Sequence, residues 1–262
     1  CHGTGIEMAE SFAEFDPLSR RLADQFWPGA LTLVLPLKEG NAIHPLVTAG
    51  LDTVAVRAPK GFGAELIAAL GRPLAAPSAN ASGRISPTEA AHVAASLGER
   101  VSLILDGGPC AVGLESTVLD LSGPVATILR PGAVTAQDLT PIVGSVAEAT
   151  EAAEAGGLKG PGMLTSHYAP GHPVRLDATE VASDEALLAF GPEVPGGGAV
   201  TLNLSPSGDL KAAAAHLFAY LHRLDEAEVR AIAVMPIPED GPQGGLARAI
   251  NDRLKRAAAP RG

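Results

Sequence analysis

The stretch Ala75–Thr88, reading A-A-P-S-A-N-A-S-G-R-I-S-P-T, constrains this chain more than any other. An apolar approach, Pro73–Ala76, runs into a dense set of small polar residues. Ser86, Pro87 and Glu89 then read as a helix start. Ser86 is a good N-cap, Pro87 suits the first helical position, and Glu89 closes a capping box three residues after Ser86. The helix is expected over Ala90–Leu97, with a stop at Gly98. Strand, polar loop and helix N-terminus together gather hydroxyls, an amide, Arg84 and unpaired N–H groups. Such a place binds anions, phosphate above all. On chemistry alone, a Ser/Asn-rich turn that only caps its own helix fits the same residues equally well.

Upstream of this stretch, residues 1–13 carry no clear pattern. Asp16 and Pro17 start a helix to about Trp27, with Leu18, Leu22 and Phe26 on one face. Pro28-Gly29 breaks it, and Leu31–Leu35 reads as a buried strand. Thr53–Arg57 is a further strand with Arg57 at its end, and Gly63–Leu70 a helix closed by Gly71. Downstream, Val101–Leu105, Ser116–Leu121 and Val125–Leu129 read as strands, the last delivering Arg130 to a Pro-Gly turn. Thr135–Val143 is a short helix. Six or so strands with fewer helices and short polar connections point to an α+β domain with a twisted mixed sheet.

Composition changes after this. Glu148–Gly160 is rich in Ala, Glu and Gly and reads as linker. Lys159–Pro173 joins Gly, Pro, Ser, His and Tyr, and a bare linker has little use for His167-Tyr168. From Val174 a strand–helix rhythm begins: strands at Leu187–Phe190, Ala199–Leu204 and Val229–Met235, helices at Leu210–Leu221 and Leu246–Ala257. That rhythm implies a small parallel sheet of Rossmann-like shape. It has no G-x-G-x-x-G at a strand–helix junction, so no dinucleotide site is read into it. His216 and His222 read as surface residues of the first of these helices. The expected layout is therefore α/β in two domains, 1–145 and 174–262, joined by a linker or lid over 146–173.

With 262 residues and an apolar fraction of 46%, the chain can bury a substantial core. Its net charge of −10, without Lys/Arg runs, argues against tight binding of nucleic acid. Two cysteines, Cys1 and Cys110, at no metal-like spacing argue against a disulfide framework or a zinc site. No apolar run approaches a membrane span and no basic-then-apolar leader is read at the start, so a cytoplasmic location is expected.

The organising stretch also resembles the signature of the YrdC family, the threonylcarbamoyl-AMP synthases: P-S-A-N-x-S-G-x-x-S-P-T. Other motifs follow in the family's order: Thr53-Val-Ala-Val-Arg57-Ala-Pro59, Glu115-Ser116-Thr117-Val118, Leu129-Arg130-Pro131-Gly132 and His167-Tyr168-Ala169-Pro170. Trp27-Pro28-Gly29-Ala30-Leu31-Thr32 is similar as well. The His-Tyr motif implies the long, two-domain form, with a YrdC-like catalytic domain. The chain begins at Cys1, whereas family members carry earlier sequence, including a first strand and a Lys-x-Arg motif. The expectation drawn from this is a weak or inactive, less soluble chain as given.

The resemblance implies an adenylate-forming reaction that joins L-threonine, bicarbonate and ATP into threonylcarbamoyl-AMP and releases pyrophosphate. The product would pass to the machinery that places threonylcarbamoyladenosine in tRNA. Such chemistry asks for positioning and charge neutralisation more than for a catalytic triad. By the family pattern Arg57, Ser78 and Ser116 would hold threonine. Thr53, Asn80, Ser86 or Thr88, Arg130 and Tyr168 would hold ATP, and Mg²⁺ would arrive with the nucleotide. Residues 159–173 would form a lid over ATP, protected from hydrogen exchange when it binds; alternatively, Tyr168 pins that segment permanently. Two rivals are a carbamoyltransferase of hydrogenase maturation, which would need zinc-finger cysteines and an acylphosphatase part, and a catalytically inactive RNA-binding module of the same fold.

Overall fold

The computed structural model describes residues 1–149 and 166–260. The chain divides into two compact units: Cys1–Pro77 with Glu115–Met163, and Ser78–Leu114 with Leu164–Gly262. The family-like stretch from Ser78 onward thus folds with the C-terminal part of the chain.

In the first unit, a single turn α1 (Ile6–Ala9) precedes α2 (Pro17–Phe26). Asp16 caps α2 as its sequence requires. Asp16 Oδ1 accepts from Ser19 N at 2.7 Å, and Ser19 Oγ accepts from Asp16 N at 2.9 Å. Such a cap is worth about 1 kcal/mol. The strands β1 (Leu31–Pro36), β2 (Thr53–Val56), β3 (Thr117–Asp120), β4 (Thr127–Arg130) and β5 (Ala147–Glu148) form one sheet in the order β2-β1-β3-β4-β5. Its ladders alternate antiparallel, parallel, antiparallel and parallel, so the sheet is mixed. The two-residue period of a strand sends Leu31, Leu33 and Leu35 into a core with Leu22, Val54, Val56 and Leu119, while Val34 turns to the other face with Val118 and Leu129. Burying each such side chain contributes roughly 1.5–3 kcal/mol, so β1, covered on both faces, anchors this unit. Helix α3 (Phe62–Leu70) ends at Gly71, whose φ of +67° suits the left-handed cap that glycine adopts freely. Helix α5 (Ala136–Val143; α4, Ala90–Leu97, belongs to the second unit) is capped by Thr135, whose hydroxyl accepts from Asp138 N.

In the second unit, α4 (Ala90–Leu97) precedes a parallel sheet in the order β6-β9-β7-β8: β6 (Val174–Arg175), β7 (Glu185–Ala189), β8 (Val200–Asn203) and β9 (Ala231–Val234). Ala186, Leu188, Ile232 and Val234 face helices α6 (Leu210–Asp225) and α7 (Gly244–Ala258), and Leu187, Ala189 and Ala233 face the other way. Helix α6 buries Leu210, Ala213, Ala214, Leu217, Leu221 and Leu224, the stripe expected of a helix against a sheet. Ile85 and Leu114, from the family-like segment, lie in the same core.

Three readings of the sequence are corrected. Val101–Leu105 is not a buried strand: it is irregular, with Leu103 72% and Leu105 49% exposed, and β5 takes the fifth place in the first sheet. A five-residue, mostly apolar run carries no register, so its sheet cannot be chosen from pattern alone. Ser86 is not the N-cap of α4. Glu89 holds that position without a side-chain bond, and the imidazole of His92 folds back, its Nδ1 accepting from Thr88 N at 3.3 Å. Ser86 is buried further back, where its carbonyl accepts from His222. His216 and His222, in turn, are not idle surface residues. His216 Nδ1 lies 2.9 Å from Leu204 O and its ring stacks on Tyr220, while His222 stacks on His92. Most of the expected linker, 150–160, and residues 159–165 of the expected lid lie outside the described residues.

Candidate active site

Within the first unit the structure brings Arg57, Ser116 and Arg130 into one hydrogen-bonded frame, and the segment Trp27–Thr32 is its ruler. Gly29 O accepts from Arg57 Nε at 2.7 Å. One residue on, Ala30 O accepts from Thr117 N at 3.0 Å. Two residues further, Thr32 Oγ1 stands 2.7 Å from Ser116 Oγ. Trp27 Nε1 donates to Leu31 O at 2.7 Å and steadies the same turn. The W-P-G-A-L-T run therefore does more than end a helix and feed a strand: it sets the spacing between Arg57 and Ser116.

Arg130 reaches the frame from the end of β4. Its Nε and Nη2 both donate to Ser116 O, at 3.2 and 2.8 Å, and Nη2 also lies 3.3 Å from Ser116 Oγ. Gly132 makes this possible. A Cβ there would lie 2.5 Å from Thr117 N, 2.7 Å from Glu115 O and 2.8 Å from Ser116 C, so only a glycine lets the chain after Arg130 cross the Glu115–Thr117 backbone. The turn is fastened by Thr117 Oγ1, which donates to Val134 O at 2.6 Å and accepts from Val134 N at 3.1 Å. Ser116, Arg130, Thr32 and Thr53 are all buried.

The register Val34↔Ala55 between β1 and β2, extended two residues, sets Thr32 opposite Arg57 and puts Thr53, Ala55 and Arg57 on one face. Arg57 N donates to Cys1 O and Gly3 N donates to Arg57 O, both at 3.0 Å, which seats His2 beside it. Burial first of all holds the His2 imidazole down at about 4, so it is neutral near pH 7. Two guanidiniums that each donate to a backbone carbonyl, with hydroxyls among them, are the side-chain types that bind carboxylate and phosphate oxygens. His2 and Thr32 were not singled out from the sequence as site residues. Each enters through partners dozens of residues away, and no local pattern reports that.

The remaining expected residues belong to the second unit. Ser78 is exposed. The Asn80 amide donates to Ala81 O at 3.0 Å and Arg84 O at 3.1 Å, which closes the loop and fixes the orientation of its side chain. Asn80 Oδ1 is then buried with no hydrogen-bond partner among the described residues. A buried acceptor left so costs about 1–3 kcal/mol unless a ligand fills the place. Thr88 and Ser86 are buried; Thr88 O accepts from Cys110 N at 2.8 Å. The His-Tyr motif lies against this loop: Ala169 N donates to Gly83 O at 2.9 Å, and Arg84 and Ala169 form a parallel bridge.

Tyr168 is 0% exposed, with its ring 5.3 Å from that of Phe218 and Arg253 5.4 Å above it. Its φ of +60° is rare for an aromatic residue. Gly171 N and His172 N donate to the Asp225 carboxylate at 2.7 and 3.0 Å, and His172 Nδ1 lies 3.0 Å from it. Residues 166–173 are thus docked along α6 and α7, the ring covered.

Residues 1–132 match the Sua5–YciO–YrdC family model, described as telomere recombination, and residues 134–259 match one described as threonylcarbamoyl-AMP synthase, C-terminal domain. The threonylcarbamoyl-AMP synthase of Bacillus subtilis is 37% identical over 262 aligned residues, covering 93% of this chain and 73% of that protein. That of Pyrococcus abyssi is 35% identical, covering 99% of this chain and 79% of that protein. Among solved structures, P. abyssi Sua5 complexed with L-threonine matches with a TM-score of 0.85 at 33% identity, over 98% of this chain and 78% of that one.

Proposed function

Since the chain belongs to the Sua5-type, two-domain threonylcarbamoyl-AMP synthases, nucleotidyltransferases of tRNA threonylcarbamoyladenosine modification, we propose how its residues divide the work. L-threonine and bicarbonate give a carbamate with loss of water, and a carbamate oxygen attacks the α-phosphorus of ATP as pyrophosphate leaves. Arg57 holds the threonine carboxylate, and Ser116 and Ser78 add hydroxyls. Thr53, Asn80, Ser86 or Thr88, Arg130 and Tyr168 serve the nucleotide.

The observation that carries this reading is the buried Thr32–Ser116–Arg130 array beside an Arg57 anchored on Gly29 O. It gathers guanidinium charge and hydroxyls in one frame, which suits a reaction whose barrier falls by positioning and charge stabilisation. The buried Asn80 Oδ1 supports a ligand at its loop. No group of three or more His, Cys, Asp or Glu side chains among the described residues could hold a metal. Mg²⁺ in this reading is carried by the nucleotide's phosphates and water, a mode it favours. No helix among the described residues is long and apolar enough to cross a membrane, and we place the protein in the cytoplasm with its tRNA-modifying partners.

Incubation with ATP, L-threonine and bicarbonate tests this. Pyrophosphate and threonylcarbamoyl-AMP are expected to form only with all three present, and calorimetry is expected to show threonine and ATP binding. A chain that binds neither substrate, yet retards tRNA in a gel at physiological salt, would instead be the RNA-binding module.

A further inference from the structure

We propose that His222, on helix α6, is a positioning residue for the Ser86–Thr88 loop and so for the nucleotide; this rests on the reading of that loop as a nucleotide contact. His222 Nε2 lies 3.2 Å from Ser86 O. A carbonyl only accepts, so Nε2 carries the proton and donates. The His222 ring lies flat on that of His92, with centroids 3.8 Å apart and planes 17° apart. His92 Nδ1 is 3.3 Å from Thr88 N and 3.4 Å from Thr88 Oγ1. A backbone N–H only donates, so Nδ1 holds a lone pair, and the proton sits on Nε2, which is 3.1 Å from Glu89 Oε1.

One histidine of α6 therefore touches the loop twice: at the Ser86 carbonyl directly, and at Thr88 through the His92 ring. The rest of the segment is seated on the same helix. Gly113 lies so close that a Cβ would come within 2.3 Å of Ala214 O and 2.5 Å of Ala215 O. Ile85 and Leu114 sit in one core with Leu217 and Leu221. Burial first, then the neighbouring imidazole, holds His222 below its ordinary pKa. This gives the C-terminal domain a task in the reaction that its fold alone does not suggest. Its helix fixes the donors and acceptors of the nucleotide loop.

Three variants of the full chain test this by calorimetry, with ATP and L-threonine titrated separately. His222→Ala is expected to weaken ATP binding about tenfold and leave threonine binding unchanged. His222→Phe keeps a stacking ring without the donor and is expected to fall between the two. His222→Gln, whose amide can donate to Ser86 O, is expected to recover part of the loss. A purely structural role would lower the melting temperature without separating ATP from threonine. Thr88→Ala is the control on the parent reading. If Thr88→Ala weakens ATP binding while His222→Ala and His222→Phe do not, the inference falls alone. If all three leave ATP binding intact, the assignment of the loop falls and takes the inference with it.

Discussion

Thr32 Oγ1 and Ser116 Oγ, 84 residues apart in sequence, stand 2.7 Å from each other, both buried in the first unit. Arg130 Nη2 already donates toward one lone pair of Ser116 Oγ. A hydroxyl has two lone pairs and one proton. If Thr32 fills the second lone pair, Ser116 can only donate outward, as a hydroxyl facing a carboxylate must. Thr32→Val keeps the shape and removes the donor. It is expected to raise the KM for threonine about tenfold, the equivalent of ~1.4 kcal/mol, with the KM for ATP unchanged. Thr32→Ser is expected to restore the wild-type value. Equal changes in both KM values would show that Thr32 supports the fold rather than the direction of one hydrogen bond.

Arg57→Ala is expected to cost threonine binding on the order of 2–4 kcal/mol, because a carboxylate would lose its charged partner. Arg57→Lys is not expected to rescue it. A single ammonium cannot both donate to Gly29 O, as Nε does now, and present a planar fork. Titration of threonine into each variant measures this; a loss confined to ATP would reassign Arg57 to the nucleotide.

Gly132→Ala places a methyl group within 2.8 Å of three backbone atoms of Glu115–Thr117. Backbone cannot yield as a side-chain tip does, so Arg130 and Ser116 are expected to part. Overpacking of this kind costs ~1–3 kcal/mol. Both a lowered melting temperature and a loss of pyrophosphate release should follow, and full activity in a stable variant would contradict the geometry.

What could be seen in advance had local causes. The Asp16 cap, the Gly71 stop and the buried strand at Leu31–Leu35 each depend on residues within a few positions, and all appear in the structure. The family motifs likewise marked Ser116, Arg130 and Asn80. Long-range partners were invisible. Thr32 meets Ser116 across 84 residues, and His222 meets Ser86 across 136. The Ser86 cap failed for the same reason. Ser86 and Thr88 each give their carbonyl to a distant segment, and that competition outweighs a local propensity of about 1 kcal/mol.

Acid should unfasten the second unit at Glu185. Its side chain is 4% exposed and meets Arg175 Nη2 at 2.7 Å and Arg230 Nη2 at 3.3 Å. The bond to Arg175 first, then the Ala182 N–H, lowers its pKa from 4.5 to about 2. A carboxylate whose folded pKa is depressed adds stability that is whole above pH 4.5 and is lost as pH falls toward 2. Glu185→Gln is therefore expected to melt earlier than wild type at pH 7, with the difference shrinking between pH 4.5 and 2. A difference that does not vary with pH would show that packing, not charge, carries the effect.

The sequence suggested that ATP would protect the segment around Tyr168. Tyr168 is wholly covered by Phe218 and Arg253, so in the docked state its ring and hydroxyl are out of a nucleotide's reach. If Tyr168 contacts ATP, the segment must first leave its seat. Its φ of +60° helps, because a non-glycine residue held there stores ~1–3 kcal/mol that undocking returns. Four amides report the event: His167 on Arg256 O, Ala169 on Gly83 O, and Gly171 and His172 on the Asp225 carboxylate. Each loses its acceptor when the segment lifts. The buried ring thus reverses the sign expected from sequence: ATP should speed hydrogen exchange at these four amides while the interior of α6 stays protected. Tyr168→Ala should weaken ATP binding, leave both units folded, and abolish the difference between the free and ATP-bound exchange rates. If the four amides exchange at the same rate with and without ATP, the segment is a fixed strap, and Tyr168 serves the core of the second unit rather than the nucleotide.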